Sequence, residues 1–144
     1  MNAILISPDE VARDWDAITE QLWPAIRQDP SYNVQSLYHR LINGTALLFR
    51  VSDGANGYWV VSLDSEVNQN GVDELIAWTT VIAGQIDGGP KRRLSVLREA
   101  IAVIENVARI AGCSAHRICG RDYSRVFQHY APYSGAKNGL EVRL

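Results

Sequence analysis

The chain has 144 residues and a mass of 16.0 kDa, so the expectation is one domain spanning 1–144. Hydrophobic residues at 47% and charged residues at 21% exclude a disordered chain and supply enough apolar carbon for a core without metal or disulfide staples. Fourteen basic against sixteen acidic side chains leave a formal net charge of −2, which speaks against direct binding to nucleic acid or to an anionic membrane.

Met1 to Ile6 is short and apolar and lacks a basic leader, so it reads as a strand and not as a signal peptide. Ser7-Pro8-Asp9-Glu10 combines a capping serine, proline at the first helical position and an acid three residues after the cap. Val11, Trp15, Ile18, Leu22 and Ile26 follow at helical spacing and predict an amphipathic helix from Pro8 to Arg27, kinked near Pro24. Asp29-Pro30-Ser31 is a break. A second helix carries Val34, Leu37 and Leu41 on one face and stops at Asn43-Gly44.

The pattern then switches to period two. Thr45 to Val51 and Gly57 to Leu63 read as a hairpin across Ser52-Asp53-Gly54-Ala55-Asn56. A turn at Val67 to Gly71 leads into a third strand, Leu75 to Ala83, and three meandering strands favour antiparallel pairing. Gly88-Gly89-Pro90 closes this region. The clearest helix follows, Arg92 to Ala111, with Leu94, Leu97, Ile101, Ile104, Val107 and Ala108 or Ala111 as its apolar stripe and Gly112 as its stop. Ser114 to Cys119 reads as a strand, and strand–helix–strand order predicts a parallel pairing in this half. Arg121 to Tyr130 reads as a last short helix, Ala131 to Gly139 as turns and Leu140 to Leu144 as a closing strand.

Nothing in the chain approaches the run of about 18 apolar residues that a membrane span needs. Cys113 and Cys119, about 20 Å apart if the intervening segment is extended, lie beyond a disulfide's reach and read as reduced, buried thiols. His39, His116 and His129 show no ligand spacing, so no metal site is expected.

The order β-α-α-β-β-β-α-β-α-β resembles the acyl-CoA N-acyltransferase fold of the GNAT superfamily, an α+β or α/β three-layer fold whose mixed, mostly antiparallel central sheet is flanked by helices. The resemblance covers nearly the whole chain. It rests on element order, on the Leu37-Tyr38-His39-Arg40-Leu41-Ile42-Asn43-Gly44-Thr45-Ala46 junction, on Ala111-Gly112-Cys113 leading to Gly120-Arg121, and on the aromatic ending Tyr123 to Tyr133. More narrowly, the chain is similar to short GNAT-like proteins of tailed phages and prophages.

The resemblance implies a grip on the diphosphate of acetyl-CoA by an Arg/Gln-x-x-Gly-x-Gly/Ala motif at the start of the longest helix, where glycines admit backbone N–H groups to the phosphates. Counting back from Gly112 places this motif on Arg92-Arg93-Leu94-Ser95-Val96-Leu97. Arg92, Arg93 and Ser95 are therefore the candidate cofactor-binding residues, but Ser95 and Leu97 stand where the family has small residues. Lys91, Arg92 and Arg93 read either as an anion site or as a solvated basic turn paired with acids such as Asp87.

The family's tyrosine acid would fall on Val126-Phe127, and phenylalanine has no proton to give. Tyr123 and Tyr130, one turn to either side, are the substitutes, with Glu74 (or Glu66) as the candidate base. Twelve of the fourteen basic residues are arginine, which favours bidentate ion pairs and protein contacts.

The resemblance thus implies a catalytically degenerate GNAT-like protein without cofactor. Its partners would be other proteins, virion components or copies of itself, and its place the virion or the host cytoplasm. An active acetyl-CoA-dependent N-acetyltransferase and a small intracellular regulator of a host protein are the two alternatives.

Overall fold

The computed structural model describes residues 3–27, 33–51, 55–86, 88–118, 134–136 and 139–144. Ser7 opens the first helix as expected: its Oγ accepts the Glu10 N–H at 3.2 Å, and Pro8 fills the first helical position. Helix α1 (Pro8–Ile26) buries Val11, Ile18, Leu22 and Ile26. Its one irregularity is at Asp14 (φ −107°, ψ 18°), not at Pro24. Pro24 and Glu20, whose carbonyl it deprives of a donor, both lie on the exposed face, where water satisfies that carbonyl.

Helix α2 (Val34–Asn43) is capped by Asn33, whose Oδ1 accepts the Gln35 and Ser36 N–H groups at 2.8 and 3.1 Å. It ends at Gly44, whose φ of 82° is a conformation that a side chain disfavours. Trp15 and Tyr38 pack their rings 5.0 Å apart and join the two helices.

Seven strands form one sheet in the order β1-β2-β3-β4-β5-β7-β6. They are β1 (Ala3–Ile6), β2 (Ala46–Val51), β3 (Ala55–Val67), β4 (Asp73–Ile86), β5 (Cys113–Ile118), β6 (Ser134–Ala136) and β7 (Gly139–Arg143). The β2-β3-β4 meander is antiparallel and β4 pairs β5 in parallel, both as the pattern predicts. Strands β3 and β4 run well past the expected limits, since polar residues such as Asp64 and Glu66 alternate with their neighbours and fit a sheet whose far half is solvated. The short β6 falls inside the stretch read as turns. The expected helix from Arg121 to Tyr130 and the thiol of Cys119 lie outside the described residues.

Helix α3 (Pro90–Ile110) starts two residues earlier than the periodicity predicts, because Gly89 serves as N-cap and Pro90 is preorganised for the first turn. Its buried stripe is Val96, Ala100, Ile101, Ile104 and Ala108, while Leu94, Leu97, Val103 and Val107 pack at its margins. Small Ala100 and Ala108 let the helix approach the sheet, a rotation that apolar size alone does not reveal.

Two cores result. Helix α3 closes one sheet face over Phe49, Trp59, Val61, Ala77 and Ile118. Helices α1 and α2 close the other over Leu48, Tyr58, Val60 and Val81. Two irregularities shape the middle of the sheet. Thr80 is an extra residue on β4, since Val60 faces Val81 while Val61 faces Thr79. On the other side of β4 the parallel pairing slips between Leu75 and Ile76, where Leu75 faces Cys113 and Ile76 faces Ala115, so that Ser114 is an extra residue on β5.

Candidate functional site

The start of α3 is where the expected cofactor residues lie. Gly89 offers no side-chain cap, the first turn holds no acid, and Lys91, Arg92 and Arg93 are exposed. The Arg92 side chain folds back over Gly88: a Cβ there would stand 2.6 Å from Arg92 Cδ. The first intrahelical bond runs from the Arg93 N–H to the Gly89 carbonyl, at 3.1 Å. Ser95 and Leu97 follow beyond that turn, where helical N–H groups bond to carbonyls four residues back. Ser95 points to solvent and Leu97 packs against the α3 core. From Arg93 onward the amides of residues 92–97 are therefore taken up inside the helix.

Among the candidates for acid and base, Tyr123 and Tyr130 lie outside the described residues. Glu74, at the start of β4, pairs with Arg143 at 3.2 Å. Hydrogen bonds from Arg143 and Asn68 hold its carboxyl below the usual range, which makes it a weak proton acceptor. Glu66 pairs with Arg117.

A cleft of about 380 Å³ opens between α2 and the β3–β4 hairpin, lined by Ser36, Arg40, Ser62, Asp64, Trp78 and Thr80 among others. Period-two alternation along β3 points Ser62, Asp64 and Glu66 to this face, and the register sets Trp78 beside Ser62 and Arg117 beside Trp78. Arg40 Nη2 donates to Asp64 Oδ1 at 2.9 Å, to the Thr45 carbonyl at 2.9 Å and to the Leu63 carbonyl at 3.3 Å, so the end of α2 is tied to the hairpin. Arg117 lies over the Trp78 ring, 5.0 Å from its centroid, and donates to Glu66 and Glu141. Arg143 extends the chain of charges to Glu141 and Glu74.

Sequence reading missed a buried relay on the opposite face. The Trp59 indole donates to Thr79 Oγ1 at 2.9 Å, and Thr79 Oγ1 lies 2.7 Å from His116 Nε2. An indole only donates, so Thr79 Oγ1 accepts from Trp59 and keeps one lone pair and one proton with which to meet His116 Nε2. Burial pushes the His116 imidazole down to about 4, so it is neutral. No spacing could have announced the trio, because cross-strand pairing alone brings its members together. Cys113 is a buried free thiol, raised by its burial. Among the described residues no group of His, Cys, Asp and Glu is placed to hold a metal, and no helix is long and apolar enough to cross a membrane.

By sequence, no family profile and no curated protein matches the chain. By structure it is similar to a ribosomal-protein-alanine N-acetyltransferase from Brucella melitensis biovar Abortus 2308 (TM-score 0.59, 15% identity, 95% of this chain and 98% of that one). It is also similar to the BH1408 protein from Bacillus halodurans (TM-score 0.56, 10% identity, 95% and 98%). A chain of the AtaT–AtaR complex bound to DNA matches as well (TM-score 0.55, 10% identity, 99% and 94%). The chain has the GNAT-like α+β fold.

Proposed function

We propose that this chain is a GNAT-like protein whose acyl-transfer chemistry has degenerated, and that it acts through contacts with other proteins as a virion accessory or structural component. One observation carries the loss of chemistry: the positions that correspond to the family's phosphate motif lie inside α3, with Leu97 against the core and Ser95 turned to solvent. A fold does not bring its activity with it. The contact reading draws support from large apolar side chains left in water, namely Trp23 at 50%, Val67 at 68%, Val72 at 57% and Ile110 at 79% exposure. The virion role, and with it a place in the particle or the host cytoplasm, rests on the sequence resemblance to short phage and prophage proteins.

Titration calorimetry with acetyl-CoA tests the first half. No saturable heat is expected, and a micromolar dissociation constant would overturn it. Mass spectrometry of purified particles of the phage that encodes the chain tests the second half; its absence from them overturns the virion role.

A second reading, an acetyl-CoA-dependent N-acetyltransferase, is favoured by one feature: the first turn of α3 holds no acid, and its N-cap makes no side-chain hydrogen bond. On that reading a protein amino terminus is the first acceptor to try, since one structural neighbour is named as a ribosomal-protein-alanine N-acetyltransferase.

A further inference from the structure

We propose that the cleft between α2 and the β3–β4 hairpin binds a primary carboxamide, the side chain of an asparagine or glutamine presented by a partner protein. Ser62 points to a ligand. It is 4% exposed and lines the cleft, yet its hydroxyl has no hydrogen-bond partner among the described residues. Buried hydroxyls are nearly always satisfied, so this one awaits a group from outside or a water that such a group displaces.

The charges select what enters. Among the described residues, Arg40 and Asp64 are the two ionised groups lining the cleft, and they face each other at 2.9 Å and cancel. A charged ligand would lose hydration without meeting a net countercharge. The unused atoms select further. Arg40 directs Nε to Thr45 Oγ1 and Nη2 to Asp64 and two carbonyls, leaving Nη1 as donor; Asp64 accepts at Oδ1, leaving Oδ2 as acceptor. One remaining donor on Arg40 and one remaining acceptor on Asp64 match the C=O and NH2 of a carboxamide, with Ser62 Oγ serving either end. The Trp78 ring on the cleft wall offers a flat surface to a planar amide, and about 380 Å³ is room for a side chain of this size.

Only the source of the carboxamide rests on the protein-contact reading. The cleft's chemistry stands whether or not acetyl-CoA binds, so the two failures are distinguishable.

The test follows the Trp78 indole N–H by NMR in the intact chain, its signal assigned with Trp78→Phe. Three probes share one backbone: the N-acetyl, N-methylamide derivatives of glutamine, lysine and glutamate. The glutamine probe should shift the signal saturably at millimolar concentration, and Ser62→Ala should weaken it about 2- to 10-fold. Ser62→Ala removes a hydroxyl without a partner, so the variant folds and the comparison holds. Free L-glutamine should bind more weakly than the blocked probe, because its own charges must be desolvated. Equal or tighter binding by free glutamine would make the source a metabolite and overturn the protein-borne assignment. No saturable shift, or equal or tighter binding by the lysine or glutamate probe, would overturn the proposal itself.

Discussion

The two faces of the sheet use the same alternating strands to opposite ends. On one face a single 21-residue helix covers the middle strands, and even the polar groups there are sealed: Trp59, Thr79 and His116 are each at most 2% exposed and hydrogen-bonded in series. On the other face, among the described residues, α1 and α2 close a second core that reaches across β2 and β3 to Val81 of β4. Beyond that core the strands carry buried Ser62 and the half-buried Asp64, Glu66, Trp78, Arg117 and Glu141, whose carboxylates pair with arginines. The closed face holds the fold together through apolar area and obligatory hydrogen bonds. The part of the second face beyond α1 and α2 buries less apolar area, and its cleft and charges are therefore at liberty to serve recognition.

The sharpest way to break this contrast is to truncate one tryptophan on each side. Trp59→Ala should lower unfolding free energy by about 3–5 kcal/mol in urea titration, through a cavity and a stranded hydroxyl. Trp78→Ala should lower it by about 1–2 kcal/mol, since its ring is only half-buried. Equal losses would show that both faces bear the fold alike.

Acid comes next. His116 sits well below its unfolded value of 6.5, at about 4, so the folded state refuses a proton that the unfolded chain accepts. Its contribution is complete above pH 6.5 and declines as the pH falls from there to about 4, a loss of roughly 3 kcal/mol. Stability measured against pH should show this slope, and His116→Gln should abolish it.

On the open face the effects shrink. Arg117→Met keeps a stem over Trp78 but leaves Glu66 without its arginine and Glu141 with Arg143 alone, and should lose about 1–2 kcal/mol, diminishing with added salt. Ser62→Ala should change thermal stability least, by less than about 1 kcal/mol and in the stabilising direction, because it deletes an unsatisfied buried hydroxyl. A larger loss would reveal a partner for that hydroxyl and remove the ground for the carboxamide site.

The elements themselves were legible. Ser7-Pro8 and Asn43-Gly44 marked a helix start and a helix end through local hydrogen bonding and left-handed backbone, which need no tertiary partner. The meander followed from period-two alternation. Less legible was α3, whose start at Pro90 moved the presumed phosphate motif into the helix body; a Gly-Gly-Pro sequence is compatible with either boundary until the helix docks. Glu74 looked like a free carboxylate in the sequence and is tied to an arginine 69 positions later.

Alone, the order of residues settled most of the described helices and strands, because caps, turns and apolar periodicity act over a few neighbouring positions, and their order carried the resemblance to an N-acyltransferase fold. Only tertiary structure decided that Trp59, Thr79 and His116 form one buried chain, that Arg40 neutralises Asp64, and that Ser62 faces a cleft with its hydroxyl unmet. Those facts depend on strand register and on the bulge at Thr80. A shift of one residue there would send each side chain to the other face of the sheet.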